Sequence, residues 1–262
     1  MQPTTKSQIK TIKEHGFELY FSTVFTHALE NYKKIAAYAG LIIIVFSIIA
    51  GFIGIGILFA FYGAVALSEN FLPQLLQTRL TGIHLLFSLI AQLFLGAVIS
   101  PLMAGFYKMA DSAEKDETFK VSSMFYYYKA PYFSKIVSTT IIISAISILI
   151  SSLTEQIGLT VLGLGITLII SFISYLAIPL VIFGELEPIE AIKGSYTIMT
   201  KEPIVLAGLI ITAFLASMLG FIGCCIGVFF TIPLNYSMTY AIYHAILSRE
   251  NLDPIDSIGT IE

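Results

Sequence analysis

Residues 177–206 read AIPLVIFGELEPIEAIKGSYTIMTKEPIVL. An apolar run ends here, a short polar passage follows, and a second apolar run opens after Pro203. Glu185, Glu187 and Glu190 stand out as carboxylates in an otherwise greasy stretch. They are either a reactive group or the wet side of a short helix joining two membrane spans. The rest of the chain decides between the two.

Only 12% of the 262 residues are charged and 56% are hydrophobic. A soluble domain carries roughly 25% charge. Mean hydropathy is +0.87. The charges also cluster. None falls within 35–68, 80–107, 136–154, 156–184 or 203–248. A helix needs about 20 apolar residues to cross about 30 Å of hydrocarbon. The last run is too long for one span and breaks at GFIGCCIG, residues 220–227, where glycines permit a tight turn. The sequence therefore predicts an all-α polytopic membrane protein, 1–262 as one integral domain. Its six spans lie near 37–62, 83–107, 136–154, 157–183, 204–221 and 224–247. The first run exceeds one bilayer thickness and can bend or continue into the interface.

Six spans put both termini on one side. Thirteen of the fourteen Lys and Arg residues fall on that side, and Arg79 alone falls on the other. By the positive-inside rule both termini are cytoplasmic. The first 34 residues hold five lysines and no apolar core, so no cleavable signal is expected. The acidic stretch 248–262 reads as a short disordered tail.

The cytoplasmic segments repeat. Phe17, Phe21, Val24 and Ala28 follow helical spacing, as do Val121, Phe125, Tyr128 and Tyr132, and again Ile189, Ile192, Tyr196 and Met199. Each set predicts an amphipathic helix lying in the interface plane, with these residues toward the membrane. Each segment ends on a large residue followed two positions later by Lys: Tyr32/Lys34, Phe133/Lys135, Met199/Lys201. The even-numbered spans share Pro-Leu, at Pro101-Leu102, Pro179-Leu180 and Pro233-Leu234. The pattern implies three copies of one unit (in-plane helix, span, span) over 14–107, 119–184 and 188–247. Two spans per copy make the repeat parallel, about an axis near the membrane normal. Copy three fits less well, because Pro233 lies nearer mid-span. Proline removes a backbone hydrogen bond, and in lipid the freed carbonyl needs a partner inside the protein. Pro101, Pro179 and Pro233 are thus expected to face inward, as packing kinks or as the lining of a cavity.

No charge lies deep in a span, which argues against an ion-coupled pump. Gln92, His84, Asn235, Ser171, Ser174 and Tyr175 read as interhelical hydrogen-bonding groups. The four histidines share no ligand spacing, and adjacent Cys224 and Cys225 do not suit a disulfide, so no metal, cofactor or redox pair is expected. No nucleophile, phosphate loop or metal set accompanies the glutamates. Pro188 suits a first helical turn, which places Glu187 and Glu190 near the positive end of a helix dipole as capping and solvating groups. Tyr126, Tyr127 and Tyr128 resemble an interfacial aromatic belt.

At Pro101-Leu102-Met103-Ala104-Gly105 and Ala191-Ile192-Lys193-Gly194-Ser195-Tyr196 the chain resembles a group of bacterial six-span membrane proteins. The group includes families labelled after the membrane domain of glycerophosphoryl diester phosphodiesterase. They carry a Pro-x-x-x-Gly step ending span two and an Ala-x-x-x-Ser-[Tyr/Trp] helix before span five. Gly194 stands where that group often has a basic residue. The resemblance implies a six-helix fold in a bacterial inner membrane and no activity. The expected function is a non-enzymatic scaffold or accessory subunit that binds membrane lipids or another membrane protein, and no nucleic acid. The alternative is a carrier of a hydrophobic or lipid-like solute through a proline-lined cavity, which an unchanged flux in a folded Pro101→Ala, Pro179→Ala variant would remove. A membrane-embedded lipid enzyme using Glu187 and Glu190 is a more distant reading.

Overall fold

The computed structural model describes residues 4–63, 82–222 and 226–247. Arg79, the Cys224-Cys225 pair and the 248–262 tail lie outside the described residues. Helices make up the fold, with no strand among the described residues. Five helical stretches are long and apolar enough to cross a membrane: Phe21–Ala60, Leu86–Glu114, Tyr132–Gln156, Thr160–Ile182 and Pro203–Ile222. Their apolar side chains are largely uncovered. Phe52 is 74% exposed, Val161 85% and Ile222 82%. Such surface is stable against hydrocarbon and not against water, so the fold is that of a helical membrane protein.

Helix α1 is Thr5–His15, capped by Thr4. Helix α2 runs unbroken from Phe21 to Tyr62. Its 42 residues span about 63 Å at 1.5 Å per residue, about twice the hydrocarbon thickness. The first expected in-plane helix is therefore corrected. Phe21, Val24 and Ala28 form the opening turns of α2, and Phe17 lies in the loop before it. Lys33 and Lys34 did not stop the helix, because lysine is a good helix former. The second expected segment is a 3-10 helix, Val121–Tyr128, and Tyr132 already belongs to the next span. Only the third is a separate α-helix.

Helix α3 is Gly82–Glu114 and passes through Pro101. Helix α4 is Tyr132–Gln156. The fourth span is broken into α5, Thr160–Ile173, and α6, Ala177–Ile182, with Pro179 in the first turn of α6. Helix α7 is Pro188–Met199, with Pro188 at its first position as the sequence predicts. Helix α8 is Pro203–Met218. The expected sixth span is not among those five stretches; its described residues form α9, Gly227–Thr231, and α10, Pro233–Leu247, parted at Ile232. The expected glycine turn runs through residues 223–225, which lie outside the described residues, but Gly220 packs directly on the start of α9. A Cβ on Gly220 would lie 2.6 Å from the Cα of Val228, so only glycine fits there.

The proline-bearing helices α3, α6 and α10 touch one another and form the centre. Helix α2 packs on α3 and α10, α4 on α3, α5 and α6, and α8 on α9 and α10. Helix α10 is buried along most of its length, from Pro233 to Leu247. The core gathers at the lysine-rich end, where Val24, Ala28, Leu180, Ile198, Met238 and Ile242 meet. Away from that end the helices present apolar surface outward.

Candidate functional site

Each proline lies in the protein interior: Pro101, Pro179 and Pro233 are all buried. The backbone groups around them are held by hydroxyls. In α3, proline deprives the Ala97 carbonyl of its helical donor, and the Ser100 hydroxyl donates to it at 3.1 Å. One turn away the Tyr128 hydroxyl donates to the Val98 carbonyl at 2.7 Å. At the α5–α6 break a single side chain serves both sides. Ser195, fully buried, accepts from the Leu176 N–H at 3.1 Å and donates to the Ile173 carbonyl at 2.8 Å. At the α9–α10 break the Tyr32 hydroxyl donates to the Phe230 carbonyl at 3.1 Å. Ser217 donates to the Thr231 carbonyl at 3.1 Å, and Asn235 donates to the Ser217 hydroxyl at 2.7 Å.

These contacts share a register. Val98, Leu176 and Phe230 each stand three residues before a proline. Each bonds a hydroxyl from the polar segment that follows in a cycle: Tyr128 from the second segment, Ser195 from the third, Tyr32 from the first. A second contact accompanies each. Gly105 lies against the backbone of Met124, Leu180 against Gly194, and the Ser237 hydroxyl donates to Asn31 Oδ1 at 2.9 Å.

At the centre, one tyrosine comes from each of the three proline-bearing regions of the chain. Tyr107 and Tyr236 stack edge-to-face with centroids 5.3 Å apart. The hydroxyls of Tyr175 and Thr239 lie 2.7 Å apart, and Tyr236 donates to Met103 Sδ at 3.1 Å. The expected interhelical role thus applies to Tyr175 and Asn235, whereas Ser174 bonds back to its own helix at Ile170.

Nearer the lysine-rich end, Asn31 is buried and donates to the Ala110 carbonyl at 2.8 Å. His27 Nε2 sits 2.8 Å from Glu114 Oε2, and its ring meets that of His244 at 5.3 Å. Tyr240 donates to Asp111 at 3.2 Å, which also pairs with Lys115. A shallow cavity of about 600 Å³ opens here, lined by Ser22, Thr23, His27, Glu30, Glu114 and His244. Among the described residues, no group of three or more His, Cys, Asp and Glu is placed to hold a metal ion.

Two glutamates of the 177–206 stretch, Glu187 and Glu190, tie segments together. Glu187 pairs with Lys135 at 2.7 Å and makes no side-chain cap to α7, which corrects the capping role expected of it. Glu190 pairs with Lys6 at 2.8 Å. The Lys6 ammonium holds the Glu190 carboxyl below its ordinary value. With the folded pKa depressed, the pair contributes above the unfolded value and is lost as pH falls through the folded one. The Lys6–Glu190 pair is well exposed and the Lys135–Glu187 pair is exposed on its glutamate side, so their energetic weight is small. Docking of α1 on α7 rests instead on buried Ile12 and on Ile9, whose Cδ1 would meet a Cβ on Gly194 at 2.9 Å.

The expected outward face of α7 needs one correction. Ile189 is 59% exposed and Tyr196 54%, with Ile192 intermediate, but Met199 is fully buried. Met199 joins Ala191, Gly194, Ser195 and Ile198 on the opposite, inward face.

No protein-family model, curated protein or solved structure matches the chain.

Proposed function

We propose that this chain is a six-span protein of a bacterial cytoplasmic membrane, built from three parallel copies of one unit closed into a ring. It acts as a non-enzymatic scaffold or accessory subunit whose lysine-rich end faces the cytoplasm and binds lipid or a membrane partner. The observation that carries the reading is the shared register at the prolines. In three places the residue three before proline bonds the next segment, and the third bond joins the last unit to the first. The hydroxyls best placed for chemistry are thereby committed to holding backbone. In this reading α9 and α10 together make the sixth span, and the Ile189–Ile192–Tyr196 face of α7 meets the membrane interface.

The ion pairs support the sidedness. Lys6–Glu190, Lys135–Glu187 and Lys34–Asp116 gather the N-terminal arm, the 108–135 segment and the 185–190 loop at one end. These are the segments the positive-inside rule assigns to the cytoplasm. Reporter fusions after residues 70, 117, 157, 187 and 262 test the topology. Positions 117, 187 and 262 are expected to report cytoplasm, and 70 and 157 the opposite side. A C-terminus opposite to position 187 removes the sixth span and, with it, the third unit.

A further inference from the structure

Helix α1 is held along one narrow stripe. Thr5, Gln8, Ile9 and Ile12, at i, i+3, i+4 and i+7, are covered to some degree, and the rest of the helix is exposed. Only Ile12 is buried, and α7 is the main neighbour. Eleven residues make at best a marginal helix in water. The order of α1 therefore comes from the surface beneath it. That surface is shaped for a helix. A Cβ on Gly184 would lie 3.0 Å from Thr5 Cγ2, and one on Gly194 2.9 Å from Ile9 Cδ1. Gln8 Nε2 donates at 3.0 Å to the carbonyl of Leu247, the last residue of α10. Such end carbonyls lack an intrahelical donor. Lys6 pairs with Glu190. Two glycine clefts, one end carbonyl and one carboxylate thus match a single helix face. The hold is light, because so little apolar surface is covered. Gly16, with φ at 74°, ends α1, and just beyond it Phe17 and Leu19 pack on the core. The arm before Gly16 can swing while the loop after it stays anchored.

We infer that α1 is a latch over a helix-binding seat, formed by Gly184, Glu190, Gly194 and the end of α10, and that a partner protein's amphipathic helix docks there when α1 swings out. Docking of this kind reads as anchors at i, i+3, i+4 and i+7. The partner helix carries what α1 carries: a cation, a polar donor two residues on, and apolar residues three and six residues after the cation. The Glu190 carboxylate favours such a basic helix over an acidic one. The inference rests on the scaffold reading above and names its partner surface.

A fluorescent peptide of residues 4–16, TTKSQIKTIKEHG, titrated onto the full chain in mild detergent tests it. Changing Ile9→Ser and Ile12→Ser in the chain unlatches the seat. Peptide affinity is then expected to rise about tenfold or more, because apparent affinity scales with the open fraction. Gly194→Leu, added to the unlatched chain, fills the seat and is expected to abolish binding. Where the double variant does not fold, Lys6→Glu opposes Glu190 at the surface and is expected to raise affinity by about threefold. Equal affinity for the wild type and a folded unlatched chain overturns the latch. Absence of binding to that chain, or binding that Gly194→Leu leaves intact, overturns the seat. A wild-type dimer that the two serine changes dissociate makes α1 of a second copy the occupant and overturns the partner helix. Extraction of the chain from membranes by alkaline carbonate would overturn the membrane reading and leave the peptide result standing.

Discussion

Ser195→Ala is expected to destabilise the protein by about 2 kcal/mol, a large effect for the loss of one oxygen. Ser195 is fully buried and serves two backbone groups at once, the Leu176 N–H and the Ile173 carbonyl. Those groups flank the α5–α6 break. Interhelical hydrogen bonds in membrane proteins average only about 0.6 kcal/mol, because the competing state finds other partners. Here the cost lies at the upper end. The alanine variant leaves a buried donor with no water to replace the hydroxyl. A loss of that size shifts the thermal midpoint of a chain this long by roughly 4–8 °C. Ser134→Ala is the control, since its exposed hydroxyl bonds only the Pro131 carbonyl within its own turn. It is expected to leave the midpoint unchanged. Equal midpoints for the two variants would remove Ser195 as a stitch between units.

Gly105→Ala is expected to separate the Val121–Tyr128 segment from α3. The added Cβ would lie 2.7 Å from the Met124 carbonyl oxygen and 2.9 Å from its Cα. Backbone cannot yield as a side-chain tip can. Overpacking of this kind costs about 1–3 kcal/mol. The displacement also loosens the Tyr128 bond to Val98. Gly96→Ala, on the same helix, meets nothing closer than 4.0 Å and is expected to be neutral or to stabilise by up to about 1 kcal/mol through helix propensity. Limited proteolysis within 115–131 reads the difference. Faster cleavage in Gly105→Ala and unchanged cleavage in Gly96→Ala are expected. Identical cleavage of the two would contradict the close packing.

Much of the architecture is local and therefore legible in sequence. Apolar runs, the first-turn Pro188 and the recurring Pro-Leu can each be seen within a few residues. The hydroxyl contacts could not be read this way. Tyr32 and Phe230 are 198 residues apart, and nothing near either residue signals the other. Tyr128 read as one member of an aromatic belt, and Ser195 as part of a family pattern. Met199 went to the wrong face for a physical reason. A periodicity reading follows only the large apolar residues, whereas the small ones that close helix packing selects set the inward face, and Met199 falls on that face with Ile198. Helix α7 turns Ala191, Gly194 and Ser195 inward. Its larger Ile189 and Tyr196 remain outside. The first in-plane segment failed as a separate element because spacing shows a face but not where a helix ends.

The ring is the central claim, and its closure between the last unit and the first is the contact that sequence proximity cannot produce. Asn31 on α2 and Ser237 on α10 meet with side-chain oxygens 2.9 Å apart. Replacing both with cysteine, in a chain with Cys224 and Cys225 changed to alanine, and oxidising native membranes tests that closure directly. The ring predicts an efficient disulfide within one chain, seen as a mobility shift at monomer mass that reductant reverses. Absence of that product, or disulfides formed only between chains, would contradict it.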